Sequence, residues 1–160
     1  MHMNKKIKTN FYCKSKYWPR RMNKIRSTVN KILFLNEIGF KKKNFYFLNL
    51  IFVEDKKIKQ LNKMYRKINK ATDVLTFISK SKNNKINDEV YCDIFFSAET
   101  IKKDSKRNLI NFYDHLTHLI IHCFLHVNGY DHKTNIDFLK MKNLEKKILS
   151  KLEIKNPYAI

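Results

Sequence analysis

The residues whose types and spacing most directly suggest chemistry are three histidines near the C-terminal end of the chain, His122, His126 and His132. His122 and His126 are four residues apart in an apolar run, so on a helix their side chains lie on one face about one turn apart. Two imidazoles at this spacing can bind one metal ion. Gly129 is expected to end the helix in a left-handed conformation, and the turn after it carries His132 towards the histidine face. The pattern therefore predicts three converging imidazoles.

A fourth histidine, His118, shares this helical face, and distance argues against it as a ligand. His118 and His126 would lie about 12 Å apart along a helix axis, whereas a zinc–nitrogen bond is about 2.1 Å long. One ion cannot reach both, so His132 is the expected third ligand. Three neutral imidazoles leave a fourth position for water, which is typical of a catalytic zinc site. The alternative for any single histidine here is a hydrogen-bonded core residue.

Two neighbouring residues bear on the type of chemistry. Cys123 stands where the His-Glu-x-x-His motif of zinc peptidases has its general-base glutamate, so the sequence disfavours a peptidase. Asp131, just before His132, has two possible roles, which are a hydrogen bond that orients a ligand and stabilisation of the turn.

The histidine segment, His-Cys-Phe-Leu-His-Val-Asn-Gly-Tyr-Asp-His at 122–132, resembles the His-Gly-x-Leu-His-Leu-x-Gly-Tyr-Asp-His signature of the YbeY family of zinc-dependent endoribonucleases. Residues 61–66 and 71–77 are similar to that family's Leu-Asn-x-x-Tyr-Arg and Thr-Asp-Val-Leu-Ser-Phe segments. Residues 156–158, Asn-Pro-Tyr, are similar to its C-terminal tail. The resemblance is strongest over 44–160. Three positions depart from the family pattern without removing an expected ligand, namely Cys92 and Cys123 in place of glycines and Asn128 in place of an apolar residue.

This resemblance implies a single-strand-specific, metal-dependent endoribonuclease that acts in 3′ end maturation of small-subunit ribosomal RNA and in ribosome quality control. It implies one Zn²⁺ per chain, held by His122, His126 and His132, with ribosomal RNA and the small ribosomal subunit as partners. These three histidines and Arg66 are the expected catalytic residues. Arg66 is one of only five arginines in a lysine-rich chain, and a guanidinium matches the geometry of phosphate oxygens better than an ammonium does.

Two other function classes stay open at this point. One is a zinc hydrolase of a small amide or ester, whose turnover would not respond to added RNA. The other is a non-catalytic ribosome-assembly factor with structural zinc, which would bind pre-ribosomal particles and leave the RNA intact.

Composition narrows the class of partner. Lys and Arg number 34 against 14 acidic residues, a formal net charge of +20. A field of that sign attracts polyanions and would make nucleic-acid binding sensitive to salt, although AT-rich codons would also enrich lysine. The three cysteines form no C-x-x-C pair, which favours reduced thiols and a cytoplasmic location. Residues 1–15 lack the apolar stretch of a signal peptide, and no run approaches the roughly 20 apolar residues that span a bilayer. The oligomeric state is left open.

The elements that must position these residues predict an α+β fold in a single domain, residues 1–160, with about four strands covered by helices. The resemblance implies that this is an endoribonuclease domain and that the sheet is mixed. The predicted strands are 6–13, 45–53, 72–78 and 90–96. The predicted helices are one from about 18 or 22 to 38, one from 58 that delivers Tyr65 and Arg66 at its end, one starting near Ser97, one carrying the histidines from about 109 or 113, and one over 138–152. A polar loop is predicted over 79–88, with a turn at Asn83 and Asn84.

Overall fold

The computed structural model describes residues 6–84 and 87–159, and in them a four-stranded sheet is flanked by five α-helices. The strands are β1 (Ile7–Cys13), β2 (Phe45–Val53), β3 (Val74–Asn84) and β4 (Asn87–Ser97). The helices are α1 (Met22–Leu33), α2 (Asp55–Arg66), α3 (Ala98–Arg107), α4 (Phe112–Val127) and α5 (Asn135–Lys151). The strand order is β1-β2-β4-β3, with β1, β2 and β4 parallel and β3 antiparallel to β4. The predicted α+β class with a mixed sheet is confirmed.

The larger core lies on one face of the sheet. Alternate side chains of the central strand β2 point into it and are buried, namely Tyr46, Leu48, Leu50 and Phe52. Side chains from α1, α3, α4 and α5 pack against this face. Trp18 is fully buried there, and its indole N–H donates to the Val53 carbonyl at 2.9 Å. The buried side of α4 is therefore held firmly, which fixes the direction of its opposite, histidine-bearing side.

Helix α2 covers part of the other face of the sheet. Its Ile58 is buried with Val53 and Leu75 in a small second cluster. Near the end of α2, the Tyr65 ring packs edge-on against Phe77 of β3, with 4.9 Å between ring centroids. On the core face of the same strand, the Thr76 hydroxyl donates to the Cys123 sulfur of α4 at 3.3 Å. Strand β3 thus contacts both the helix that ends at Arg66 and the helix that carries the histidines.

Two predicted boundaries differ most from the structure. Helix α1 ends at Leu33 and not at Ile38, because Leu35 is extended and a short 3₁₀ turn, Asn36–Ile38, precedes the left-handed Gly39. The predicted loop over 79–88 is instead strand over its described part, since β3 runs to Asn84 and β4 starts at Asn87. Residues 85 and 86 of that loop lie outside the described residues. Antiparallel pairing with β4 satisfies the backbone of this polar segment, so its hydrophilic composition does not prevent a strand.

The three cysteines carry free thiols, as predicted. Cys13 is exposed, whereas Cys92 and Cys123, which stand where the family signature has glycine, are buried in the core. Burial raises the pKa of both buried thiols, that of Cys123 to about 12, so they stay protonated at neutral pH. Over the described part of the chain, no helix combines the length and apolar character needed to cross a membrane.

Candidate metal centre

Helix α4 has well-defined ends. At its start, the Asn111 side chain accepts a hydrogen bond from the Tyr113 backbone N–H at 2.9 Å, which caps the helix. At its end, Gly129 has a φ of 92°. The next N–H, that of Tyr130, bonds back to the Leu125 carbonyl at 3.1 Å. This is the glycine-dependent helix stop predicted from the sequence, and it reverses the chain just before the third histidine.

The structure brings together the three histidines that the spacing singled out. One ligand atom from each of His122, His126 and His132 lies within 4.8 Å of the others. The Nε2 atoms of His122 and His126 are 3.0 Å apart. The His132 ring lies across from both, with centroid distances of 5.5 Å to His122 and 5.1 Å to His126. His132 is exposed and the other two are partly buried, so the cluster opens to solvent on one side.

Hydrogen bonds fix which nitrogen each helical histidine presents. The Tyr130 carbonyl can only accept, so His126 donates its Nδ1–H to it at 2.9 Å. His122 likewise donates Nδ1–H to the Glu145 carboxylate at 2.5 Å. Both Nε2 lone pairs therefore face the centre of the cluster. Their 3.0 Å separation is near the roughly 3.4 Å expected between two nitrogens bound to one tetrahedral zinc.

The protonation state of His126 also favours metal binding at this cluster. Burial lowers the pKa of His126, and the nearby His122 lowers it further. A neutral imidazole is the form that binds a metal. The donor set, with neutral nitrogens turned inwards and an open side, fits a divalent metal such as zinc.

Behind the cluster, the buried Glu145 of α5 joins two histidines of α4. Its side chain accepts from His118 Nε2 at 2.8 Å and from His122 Nδ1 at 2.5 Å. The Tyr158 hydroxyl donates to the same carboxylate. Burial opposes ionisation of Glu145, but hydrogen bonds from His118, His122 and Tyr158 outweigh it and bring the pKa down to about 2. A buried carboxylate in this position orients a ligand histidine and raises its basicity.

His118 is engaged by Glu145 and does not join the cluster, in agreement with the axial-distance argument. The role of Glu145 was not predicted from the sequence. The available signal was the apolar stripe of α5, because Glu145 falls four residues after Met141 and three before Ile148, both of which are buried. A carboxylate inside such a stripe needs a partner on the facing helix.

Arg66 and Asp131, the other residues considered from the sequence, are not members of the cluster. Arg66 is the last residue of α2 and its side chain is exposed, so the prediction that α2 delivers it at its end is confirmed while its substrate role stays a prediction. Asp131 accepts from the His132 backbone N–H at 2.7 Å and contacts Lys133, which is the turn-stabilising alternative.

Known proteins resemble this chain over most of its length. The family model described as "Endoribonuclease YbeY" matches residues 11–153. A protein of that name from Bartonella henselae is 41% identical over 115 residues, which cover 70% of this chain and 72% of the relative. Another, from Ehrlichia canis, is 34% identical over 158 residues, covering 96% of this chain and 97% of the relative.

A solved structure agrees at the level of the fold. The solution structure of a Thermotoga maritima protein aligns over 96% of this chain and 97% of its own, with a TM-score of 0.57 and 21% identity. The family model covers most of the chain, and it includes the whole histidine cluster. The chain therefore belongs to the YbeY endoribonuclease family.

Proposed function

We propose that residues 1–160 form a single-strand-specific endoribonuclease domain that uses one Zn²⁺ held by His122, His126 and His132. The observation that carries this proposal is the convergence of three imidazoles, two of them with their Nε2 atoms 3.0 Å apart, on the open side of α4. Family membership supports cleavage of RNA, and the net charge of +20 supports a polyanionic substrate.

The proposed mechanism divides the work between the ion and the protein. Zinc in such a site supplies a Lewis acid and makes a water nucleophile available near neutral pH. Glu145 and the Tyr130 carbonyl hold the Nδ1–H groups of His122 and His126, so that both ligands present Nε2. Arg66 binds the phosphate next to the scissile bond and stays charged at any working pH.

The protein itself is not expected to supply the nucleophile. Cys123 is adjacent to His122 in sequence, but its thiol is buried against Thr76. Burial raises its pKa to about 12, so a thiolate is absent at neutral pH. Attack by water on the phosphodiester is therefore the reaction that fits these residues.

We place the substrate in ribosomal RNA, with the small ribosomal subunit as partner, a cytoplasmic location, and roles in 3′ end maturation and ribosome quality control. Family membership supports this placement. The aromatic and basic side chains near Arg66 fit a single strand, because unstacked bases pack on aromatic rings such as that of Tyr65, which is 61% exposed.

The experiment is single-turnover cleavage of a precursor fragment from the 3′ end of small-subunit ribosomal RNA. Cleavage is expected to stop after treatment with a chelator, to return with added zinc, and to be absent in His126→Ala. The same sequence annealed into a duplex should be cut much more slowly. Intact RNA after incubation with zinc-loaded, RNA-binding protein would contradict the proposal and favour an assembly factor. Zinc-dependent turnover of a small ester without RNA cleavage would favour a hydrolase of another substrate.

A further inference from the structure

A second group of potential metal ligands lies apart from the three histidines. Asp73 immediately precedes β3, Asp104 is on α3 and His115 is on the first turn of α4. One ligand atom from each of these side chains lies within 4.8 Å of the other two, and all three residues are partly buried. Three separate elements thus direct a carboxylate, a carboxylate and an imidazole to one point.

The imidazole of this group has a buried nitrogen without a hydrogen-bond partner in the described part of the chain. That nitrogen is the Nε2 atom of His115. Leaving a buried polar atom unpaired destabilises the fold. Burial lowers the pKa of His115, although Asp73 and Asp104 oppose that effect. The ring is therefore suited to bind a cation as a neutral ligand.

Both carboxylates are held in place by bonds at one oxygen. Asp73 Oδ1 accepts from the Val74 N–H at 2.7 Å and from the Thr72 hydroxyl at 3.2 Å. Asp104 Oδ1 pairs with Arg107 at 3.0 Å. Two oriented carboxylates beside a neutral imidazole give the group more negative charge than the single Arg107 offsets. A divalent cation would neutralise this excess.

We infer that Asp73, Asp104 and His115 form a second divalent-cation site, which takes a metal that accepts mixed oxygen and nitrogen ligands, with Mn²⁺ as the probe ion. His115 and His122 are seven residues apart on α4, about 10.5 Å along the axis. Paired catalytic metals lie about 3.5–4 Å apart, so this ion does not share the chemistry of the first site. Its effect is to tie the start of β3 to α3 and α4.

The position of the site suggests what it stabilises. Asp73 ends the connection that leads from Arg66 into β3, and its backbone carbonyl accepts from the Ser97 N–H at 2.9 Å. An ion at Asp73 would fasten the far end of the segment whose near end is Arg66. The site therefore links the core to the connection that places Arg66.

The test is a Mn²⁺ titration of chelator-stripped protein, with free Mn²⁺ measured by electron paramagnetic resonance. It uses a His122→Ala/His126→Ala background, which removes the three-histidine cluster and makes the result independent of RNA cleavage. We expect about one bound Mn²⁺ per chain in this background, and none after the further change Asp104→Asn or Asp73→Asn. The matched control is Asp114→Asn, the same change one residue from His115 and outside the group, and it should keep the ion.

A second readout guards against variants that do not fold. In the same background, excess Mn²⁺ should raise the thermal midpoint because the ion binds only the folded state, and Asp104→Asn should abolish that rise while keeping its circular dichroism. Absence of Mn²⁺ binding in the folded background at millimolar metal would overturn the inference. So would binding that survives both Asp104→Asn and Asp73→Asn.

Discussion

The histidine cluster and Arg66 are held by the fold in opposite ways. His122 and His126 lie on a helix whose other side is in the core, and their Nδ1–H groups are fixed by Glu145 and the Tyr130 carbonyl. Arg66 ends α2 with an exposed side chain, and within residues 6–84 and 87–159 its guanidinium forms no ion pair.

For the proposed site, we infer from this difference that the metal half is assembled before substrate arrives, whereas Arg66, the proposed phosphate half, is not held in advance. Imidazoles that must share one ion need fixed separations, and a helix with a buried carboxylate behind it supplies them. A guanidinium that binds a mobile RNA strand can become ordered when the phosphate arrives. Damage to the two halves should therefore give different phenotypes.

Substitution of Arg66 is expected to give the largest difference between an unchanged zinc content and a reduced rate of RNA cleavage. Arg66→Ala should keep its zinc and its fold but lose about 10² to 10³ in single-turnover RNA cleavage, the loss typical of removing one charge-stabilising donor. Arg66→Lys should recover only part of that rate, because an ammonium cannot form the paired hydrogen bonds. The matched control is Arg26→Ala, another exposed arginine, which stacks on Phe11. Cleavage by Arg66→Ala at the unmutated rate would remove this residue from the site.

Acid should destabilise the fold through Glu145, the carboxylate that lies behind the metal half of the site. Its pKa in the folded protein, about 2, lies below the ordinary 4.5, so the ionised carboxylate stabilises the fold above pH 4.5. That stabilisation is lost as the pH falls from 4.5 towards about 2, and it amounts to at most about 3 kcal/mol. Urea unfolding of metal-free protein and of Glu145→Gln across this range measures it. The two proteins should differ most above pH 4.5, and a difference that does not change down to pH 2 would contradict this assignment.

At neutral pH, Glu145→Gln should weaken zinc binding about 10- to 100-fold, the usual effect of removing the carboxylate that orients a ligand histidine. Tyr158→Phe should have a smaller effect, because its hydroxyl contacts Glu145 and not His122. Competition with a zinc-binding dye measures both affinities. If Tyr158→Phe weakened binding more than Glu145→Gln, the carboxylate would not be what positions His122.

The sequence was sufficient for the parts of the site that depend on local geometry. Helical spacing placed His122 and His126 on one face, and Gly129 set the turn to His132, because these relations depend on a few consecutive residues. The axial distance also separated His118 from the cluster. For the same reason the strand Phe45–Val53 was predicted with its observed bounds, since its apolar run is bounded by charged residues.

Features that depend on tertiary contacts could not be read in this way. The polar end of β3 is strand because β4 pairs with it, which its own composition does not indicate. Glu145 has its role because α5 faces α4, and the group of Asp73, Asp104 and His115 comes from three elements that only the fold brings together. Helix α1 ends at Leu33 because the backbone of Leu35 is extended, which the apolar periodicity of the segment does not indicate.

The central claim, that His132 and not His118 completes the metal site, is tested most directly by the zinc content of purified protein measured by elemental analysis. His132→Ala should contain about one zinc per chain less than the unmutated protein, as should His122→Ala and His126→Ala. His118→Ala should keep its zinc, because its ring bonds to Glu145 and lies outside the cluster. Zinc retained in His132→Ala and lost in His118→Ala would contradict the account.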